Sequence, residues 1–279
     1  MTKIFLGLVI SITLLSSCAT SKKQFGEILI ENTADSTLTK QEISKIRSLN
    51  PDIFDAGKFT GREQLEIKYR LFKPKQSNKK YPLVVVYHGS GRPIGTDNAS
   101  HLGILQKLFA SPEIQSKYPA YVLAPQFSTR SSDYVMDSTV RNVLYSVHRP
   151  CLNSVFQLID SLKSNLNIDK RRIYVVGYSM GGSTVINSLS TRPDLFAAGI
   201  SISGIPQFNK LSELSEIPIW LIHGMDDTEN PIDSDEQFYK EMHKKVLFWK
   251  LKGTTHNNVF SSTILGETMP KWLFKQRKK

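Results

Sequence analysis

The chain has 279 residues, of which 40% are hydrophobic and 10% aromatic. This length is enough for one domain with a well-filled core and too short for two domains of typical size. The formal net charge is +11, but the basic residues occur as short pairs scattered among acidic ones. A nucleic-acid-binding protein would need a concentrated basic stripe, so that class is excluded. A solvated basic surface near anionic lipid headgroups is the better interpretation.

The N-terminus has the features of an export signal. Lys3 precedes an apolar run, Ile4 to Leu15, that is as long as a signal-peptide core and shorter than the roughly 20 residues of a membrane-spanning helix. The sequence LSSC then ends at Cys18 and resembles a bacterial lipobox, in which lipid is attached to the cysteine. We expect residues 1–17 to be a lipoprotein signal peptide and Cys18 to anchor an exported protein at the periplasmic face or the cell surface. Ordinary signal-peptidase cleavage is the alternative.

Residues 18–60 are expected to be a tether and a lead-in to the domain formed by residues 61–279. The segment is polar and rich in Ser, Thr, Lys and Asn. Its one modest helical candidate, TKQEISKIRSLN, is stopped by Pro51.

In the domain, short apolar runs alternate with segments of helical period. The apolar runs cover residues 83–87, 121–124, 173–176, 198–202, 219–222 and 246–251, and helices are predicted near 100–110, 152–166, 181–191, 232–244 and 267–276. This alternation predicts a mostly parallel sheet with helices on both faces. Residues 65–72 alternate more evenly and suit an antiparallel edge strand.

The sequence GYSMG, residues 177–181, lies between an apolar run and a helical segment. It matches the G-x-S-x-G pattern of a nucleophile elbow, in which a serine sits on a tight turn between a strand and a helix. Glycines suit this turn because neighbouring side chains would clash where strand meets helix. A phosphate-binding loop is the alternative, but no lysine follows in the required position and the dinucleotide spacing is absent. Ser179 is therefore the candidate nucleophile.

Acidic residues follow the apolar run IWLI, at the edge of the sheet where ligands bind. Asp226 and Asp227 are both candidates for the acid that orients a catalytic histidine. The acids nearby are out of register with a calcium loop, so no metal site is predicted. Asp233 and Asp235 are explained more simply as acids at a helix N-terminus, where the helix dipole favours them.

A histidine, His256, lies on the loop after the last apolar run. A base in that position can reach a serine presented by a central strand. The other histidines fit less well, because His101 and His243 fall in predicted helices, His148 in an irregular segment, and His223 before the acid. The order serine, acid, histidine therefore favours His256 as the general base.

The loop after LVVVY contains His88-Gly89-Ser90-Gly91. A tetrahedral intermediate needs two converging backbone N–H donors, one from the residue after the nucleophile and one from the loop after an early strand. Met180 and Ser90 occupy these two positions. His88 is expected to brace the loop rather than to transfer protons.

These segments resemble the α/β-hydrolase superfamily, in particular its esterases and peptidases related to polyhydroxybutyrate depolymerases, feruloyl esterases and dienelactone hydrolases. The resemblance covers roughly residues 60–276 and includes YPLVVVYHGSG, IDKRRIYVVGYSMGGS and IPIWLIHGMDDTENP. In the family pattern the acid follows the glycine of HG by three residues and precedes the proline by four, which selects Asp227 over Asp226. Only about a dozen residues separate Ser203 from Pro218, too few for a large lid domain.

Two departures from the family pattern border the expected pocket. Tyr178 stands where family members often have Leu, and RPIGT, which begins at Arg92, replaces an acidic or glycine-rich continuation. Tyr178 and Arg92 are therefore candidates for substrate contact. The Trp that often follows the catalytic histidine is missing after His256.

The resemblance implies acyl transfer without a metal or organic cofactor. We expect a carboxylic-ester hydrolase acting on a small-molecule or glycan-linked ester, such as acetyl or feruloyl groups of glycans, with residues 127–150 forming one wall of an open cleft. A serine peptidase with the same triad is one alternative. A non-catalytic, lipid-anchored binding protein that keeps the fold is another.

Overall fold

A computed structural model of the chain describes residues 24–31, 39–75, 79–91, 99, 102–127 and 129–279. The expected signal peptide, Cys18 and Arg92 lie outside these residues, as does His101.

Eleven strands form in the described residues: β1 (Gly26–Ile30), β2 (Asp55–Thr60), β3 (Glu66–Phe72), β4 (Tyr81–Tyr87), β5 (Tyr121–Gln126), β6 (Ser132–Asp137), β7 (Val143–His148), β8 (Ile168–Tyr178), β9 (Ala198–Ile202), β10 (Ile219–Gly224) and β11 (Val246–Leu251). Nine of them make one sheet in the order β1-β11-β10-β9-β8-β4-β5-β3-β2. All neighbours are parallel except β3 with β5 and β2 with β3. The carboxyl ends of the parallel strands therefore meet at one edge of the sheet.

The helices of the described residues are α1 (Lys40–Arg47), α2 (Ile104–Ala110), α3 (Pro112–Lys117), α4 (Cys151–Asn165), α5 (Met180–Thr191), α6 (Leu211–Leu214), α7 (Asp233–Met242), α8 (Ser262–Leu265) and α9 (Thr268–Leu273). Helices α4, α5 and α7 contribute to the hydrophobic core on one face of the sheet, and α2, α8 and α9 to the core on the other. Val84 and Val85 of β4 belong to opposite cores, as alternation along a strand requires. In the part of the chain described, no helix is long and apolar enough to cross a membrane.

The predicted fold class, a mostly parallel sheet with helices on both faces, is confirmed. All six apolar runs are strands of the sheet. The five predicted helices correspond, in chain order, to α2, α4, α5, α7 and α9 and differ from them only at the ends. The connection between β9 and β10 holds only the short helix α6, so it forms no large lid.

The sheet extends on both sides beyond the strands expected from the sequence. The prediction that residues 65–72 form an edge strand is wrong, because β2 pairs along the outer side of β3. At the opposite edge β1 pairs in parallel with β11. Residues of the expected lead-in thus belong to the folded domain. These strands are only five and six residues long in a polar segment, so their pattern is weak in the sequence.

Strands β6 and β7 form a separate antiparallel hairpin within residues 127–150. The hairpin packs on α5 through hydrogen bonds between buried polar side chains. Asn187 of α5 donates to Ser132 and Ser146, one on each strand, at 3.0 and 3.1 Å. Val143 and Tyr145 of β7 also pack against the core, but the hairpin has no long apolar run, so it was not expected from the sequence.

Candidate active site

Ser179 sits on the turn between β8 and α5 with an unusual backbone conformation. Its φ is 58° and its ψ is −124°. Such a conformation is rare for a residue with a side chain and persists only where surrounding contacts fix it. Here the Ser179 N–H donates to the carbonyl oxygen of Ile202 at 2.9 Å, which ties the turn to β9.

Two glycines of the turn are required by close approach of backbone atoms. A Cβ on Gly177 would lie 2.2 Å from the carbonyl oxygen of Gly181, and a Cβ on Gly181 would lie 2.6 Å from that of Tyr87. Neither backbone oxygen can move without distorting the strand-to-helix turn. The glycines therefore let α5 begin directly against β8 and β4.

The structure brings Ser179, His256 and Asp227 together at the carboxyl edge of the sheet. His256 Nδ1 lies 2.7 Å from Asp227 Oδ2, and His256 Nε2 lies 2.9 Å from Ser179 Oγ. Because an ionised carboxylate only accepts hydrogen bonds, Nδ1 carries the proton. Nε2 of the neutral imidazole is then an acceptor, and the Ser179 hydroxyl donates to it. All three side chains are buried.

The loop after β10 fixes Asp227 through its second carboxylate oxygen. Oδ1 accepts from the backbone N–H groups of Glu229 and Asn230 at 3.0 and 2.9 Å. Burial by itself would raise the pKa of Asp227, but hydrogen bonds with His223 and His256 hold that pKa well below its usual range. Asp227 is therefore ionised at neutral pH. Asp226, by contrast, is exposed.

The two expected oxyanion donors lie on elements that meet at Ser179. Met180 is the first residue of α5, and the first N–H groups of a helix have no partner within it. The loop that holds Ser90 approaches the nucleophile, since a Cβ on Gly89 would contact Ser179 Cβ at 3.4 Å. His88 holds this loop in place: Nδ1 donates to the carbonyl oxygen of Gly89 at 2.9 Å, and Nε2 accepts from the N–H of Phe127 at 3.2 Å.

Tyr178 contacts the histidine loop and lines an adjacent cavity. Its hydroxyl donates to the carbonyl oxygen of His256 at 2.9 Å, and its ring lies 5.0 Å from the imidazole, between centroids. Burial raises the pKa of Tyr178 to about 12, so the hydroxyl stays a donor. The cavity, about 460 Å³, is also lined by Asn257, Phe260 and Arg47. Arg47 comes from α1, a contribution that sequence reasoning missed.

Comparisons with known proteins find relatives of this fold. Residues 149–248 match the prolyl oligopeptidase family. The crystal structure of a thermostable esterase is 33% identical, with a TM-score of 0.72, over 82% of this chain and 64% of that one. The chain has the α/β-hydrolase fold.

Two curated relatives match shorter parts of this chain. A bifunctional acetylxylan esterase/xylanase from Neocallimastix patriciarum is 34% identical over 86 residues, which are 31% of this chain and 13% of the relative. A poly(3-hydroxyalkanoate) depolymerase from Paucimonas lemoignei is 40% identical over 53 residues, 19% of this chain and 13% of the relative. The match thus spans a small part of either relative. The expected resemblance to the esterases and peptidases of the superfamily is confirmed.

Behind Asp227 lies a second buried histidine with a second buried carboxylate. His223 Nδ1 lies 2.7 Å from Asp235 Oδ2, and Nε2 donates to the carbonyl oxygen of Asn230 at 2.8 Å. Nε2 also lies 3.4 Å from Asp227 Oδ2. Burial disfavours a charged imidazole, but hydrogen bonds to Asp227 and Asp235 outweigh it and raise the pKa of His223 to about 10. His223 is therefore charged at neutral pH and lies against the side chains of Asp227 and Asp235. Its charge counteracts the effect of burial, which raises the pKa of Asp235 above its usual range.

Replacing Asp235 with asparagine is expected to lower the free energy of unfolding at neutral pH by about 3 kcal/mol, because it removes the carboxylate partner of a buried histidine. The raised pKa of His223 contributes stability that is complete below its unfolded value of about 6.5 and is lost as pH rises through about 10. The difference between the variant and the wild type should therefore shrink from pH 7 to pH 10, as measured by urea unfolding.

The matched control is His243→Gln, which replaces an exposed histidine and should leave unfolding unchanged at both pH values. A difference between Asp235→Asn and the wild type that stays constant or grows with pH would contradict a charged pair.

Proposed function

We propose that the protein is a serine hydrolase of the carboxylesterase type, with Ser179 as nucleophile, His256 as general base and Asp227 as the acid that orients it. The observation that carries this proposal is the continuous hydrogen-bond chain from Ser179 Oγ through His256 to Asp227, at 2.9 and 2.7 Å. Nucleophile and base lie within the range needed for proton transfer, and a third group orients the base.

The proposed reaction has two acyl-transfer steps. Ser179 Oγ attacks the ester carbonyl carbon while His256 Nε2 takes the hydroxyl proton, and the N–H groups of Met180 and Ser90 stabilise the oxyanion. The intermediate collapses as the C–O bond to the alcohol breaks and His256 returns the proton to the leaving oxygen. Water, deprotonated by His256, then attacks the acyl-enzyme carbonyl carbon. The C–O bond to Ser179 breaks, His256 returns the proton to Ser179 Oγ, and the acid is released. No cofactor is required by these steps.

The substrate we propose is a glycan-linked ester carrying an acetyl or feruloyl group. The similarity to an acetylxylan esterase/xylanase supports this class. The cavity beside Tyr178 supports it as well, because aromatic surfaces of Tyr178 and Phe260 stand beside hydrogen-bonding groups of Asn257 and Arg47. We also propose that Cys18 anchors the exported enzyme to a membrane, at the periplasmic face or the cell surface.

A serine peptidase is the second candidate, favoured by the match of residues 149–248 to the prolyl oligopeptidase family. The same nucleophile and base would serve, because ester and amide hydrolysis pass through similar tetrahedral intermediates.

A panel of substrates tests the proposed function against this candidate. We expect kcat/KM for acetylated xylo-oligosaccharides or methyl ferulate to exceed that for peptide p-nitroanilides by at least about 100-fold, because a site shaped for one acyl and alcohol pair loses transition-state contacts with another. Initial rates are measured for each compound with the same enzyme preparation. Faster cleavage of the p-nitroanilides would support the peptidase, and binding of every compound without turnover would support a non-catalytic binding protein.

A further inference from the structure

A cluster of basic side chains lies at the end of the sheet opposite Ser179. We call it the basic face, and it consists of six residues that line one shallow cavity of about 470 Å³: Lys79, Lys80, Lys117, Arg172, Lys271 and Lys275. These residues come from the segment just before β4, the end of α3, the first half of β8 and the region of α9. No acidic residue is among the described residues that line the cavity.

Two of the six basic residues form ion pairs with described residues. Lys117 pairs with Glu267 at 2.6 Å, and Arg172 pairs with Asp169 at 2.8 Å. The other four members, all exposed, make no ion pair with a described residue: Lys79, Lys80, Lys271 and Lys275. Four like charges in one concavity repel one another, so the arrangement favours an anionic partner.

The N-terminal tether leaves the fold at the same end of the molecule. β1 runs parallel to β11 from the pair Gly26 and Leu247, so the chain before β1 emerges where the parallel strands begin. The indole N–H of Trp272, next to the basic face in α9, donates to the carbonyl oxygen of Gln24 at 3.4 Å. Six chain steps separate Gln24 from Cys18, which span at most about 20 Å.

The active site lies at the other end of the sheet. β8 carries Arg172 near its beginning and leads directly into Ser179, seven residues later. Along an extended strand this separation is about 23 Å. A flat partner that covers the basic face would therefore leave the cavity beside Tyr178 open.

We propose that the basic face docks on anionic lipid headgroups of the membrane and holds the active site away from it. The inference rests on the proposed anchor at Cys18 for its geometry, since an anchor within about 20 Å of Gln24 brings this end of the fold to the bilayer. Lysines near an anionic leaflet each add to the attraction, and a basic patch complements a lipid anchor.

Vesicle binding tests the proposal with the full chain. Wild type and the four-fold variant Lys79→Gln, Lys80→Gln, Lys271→Gln, Lys275→Gln are sedimented with vesicles of phosphatidylcholine alone or with 30% phosphatidylglycerol. Both proteins share the same apolar N-terminus, so a difference in vesicle binding is due to the lysines of the basic face. We expect the wild type to bind the anionic vesicles about 10- to 100-fold more tightly than the variant does, and the advantage to disappear at high salt.

The control removes four lysines that lie outside the basic face, so the net charge changes equally: Lys58→Gln, Lys210→Gln, Lys240→Gln and Lys252→Gln. Retained binding by this control supports the proposal. Equal losses in both variants, or tighter binding of soluble polygalacturonate than of anionic vesicles, would overturn it.

Two further measurements distinguish failure of the docking proposal from failure of the proposed anchor or of the proposed activity. Mass spectrometry of membrane-extracted protein reports acylation of Cys18, and its absence would contradict the anchor while charge-dependent vesicle binding still supported docking. Ester turnover by the four-fold variant in solution should equal that of the wild type, because the substituted lysines lie far from Ser179. A protein that binds anionic vesicles but hydrolyses no ester would contradict the proposed function alone.

Discussion

Alanine in place of Ser179 is expected to lower kcat for ester hydrolysis by about 10⁵- to 10⁶-fold, because the proposed mechanism has no other nucleophile to form the acyl-enzyme. The imidazole of His256 would then have no hydroxyl to deprotonate. The residual rate over water should come from substrate positioning and the backbone N–H donors. Burst and steady-state kinetics on a p-nitrophenyl ester measure this loss.

A serine on the exposed surface of α4 supplies the matched control. Ser164→Ala removes the same atoms far from the site and should keep full activity. A fluorophosphonate reagent should label the wild type and the control but not Ser179→Ala. Full activity in Ser179→Ala, with an unchanged unfolding temperature, would rule out the proposed mechanism.

Asparagine in place of Asp227 is expected to lower kcat by about 10⁴-fold. The carboxylate accepts the Nδ1 proton of His256 at 2.7 Å. An amide can instead donate to Nδ1, which moves the ring proton to Nε2 and leaves no acceptor for the Ser179 hydroxyl. The same change also weakens charge balance around His223, so unfolding should be measured with the kinetics.

The neighbouring residue makes this a matched pair of variants. Asp226→Asn alters an exposed side chain and should leave kcat within about twofold of the wild type. The reverse result, with Asp226→Asn inactive and Asp227→Asn active, would show that Asp227 is not the acid that orients His256.

Much of the candidate site could be predicted from the sequence because its residues follow strongly apolar strands. The runs before Ser179, Asp227 and His256 are buried, and their carboxyl ends meet at one edge. The position after β10 alone left Asp226 and Asp227 equivalent, and only the spacing of the family pattern selected Asp227. The exposed position of Asp226 and the backbone N–H bonds to Asp227 appear only in three dimensions.

The buried contact between His223 and Asp235 could not be predicted from the sequence in the same way. Asp235 has the sequence position of a helix-capping acid, and it does lie in the first turn of α7. Its contact with His223 depends on how that turn packs against β10, which no local pattern encodes. Glu229 is a similar case. Its carboxylate lies 3.8 Å from His256 Nε2 because of the path that its loop takes.

The pairing of β1 with β11 also protects the sheet from other chains. β11 leads into the loop of His256, and without β1 its outer backbone groups would be open to strand addition from a neighbouring molecule. β1 instead presents Glu27, and Glu31 directly after it, at the exposed edge, and such charges discourage pairing. The segment that joins the domain to its N-terminus therefore shields the strand beside the active site from aggregation.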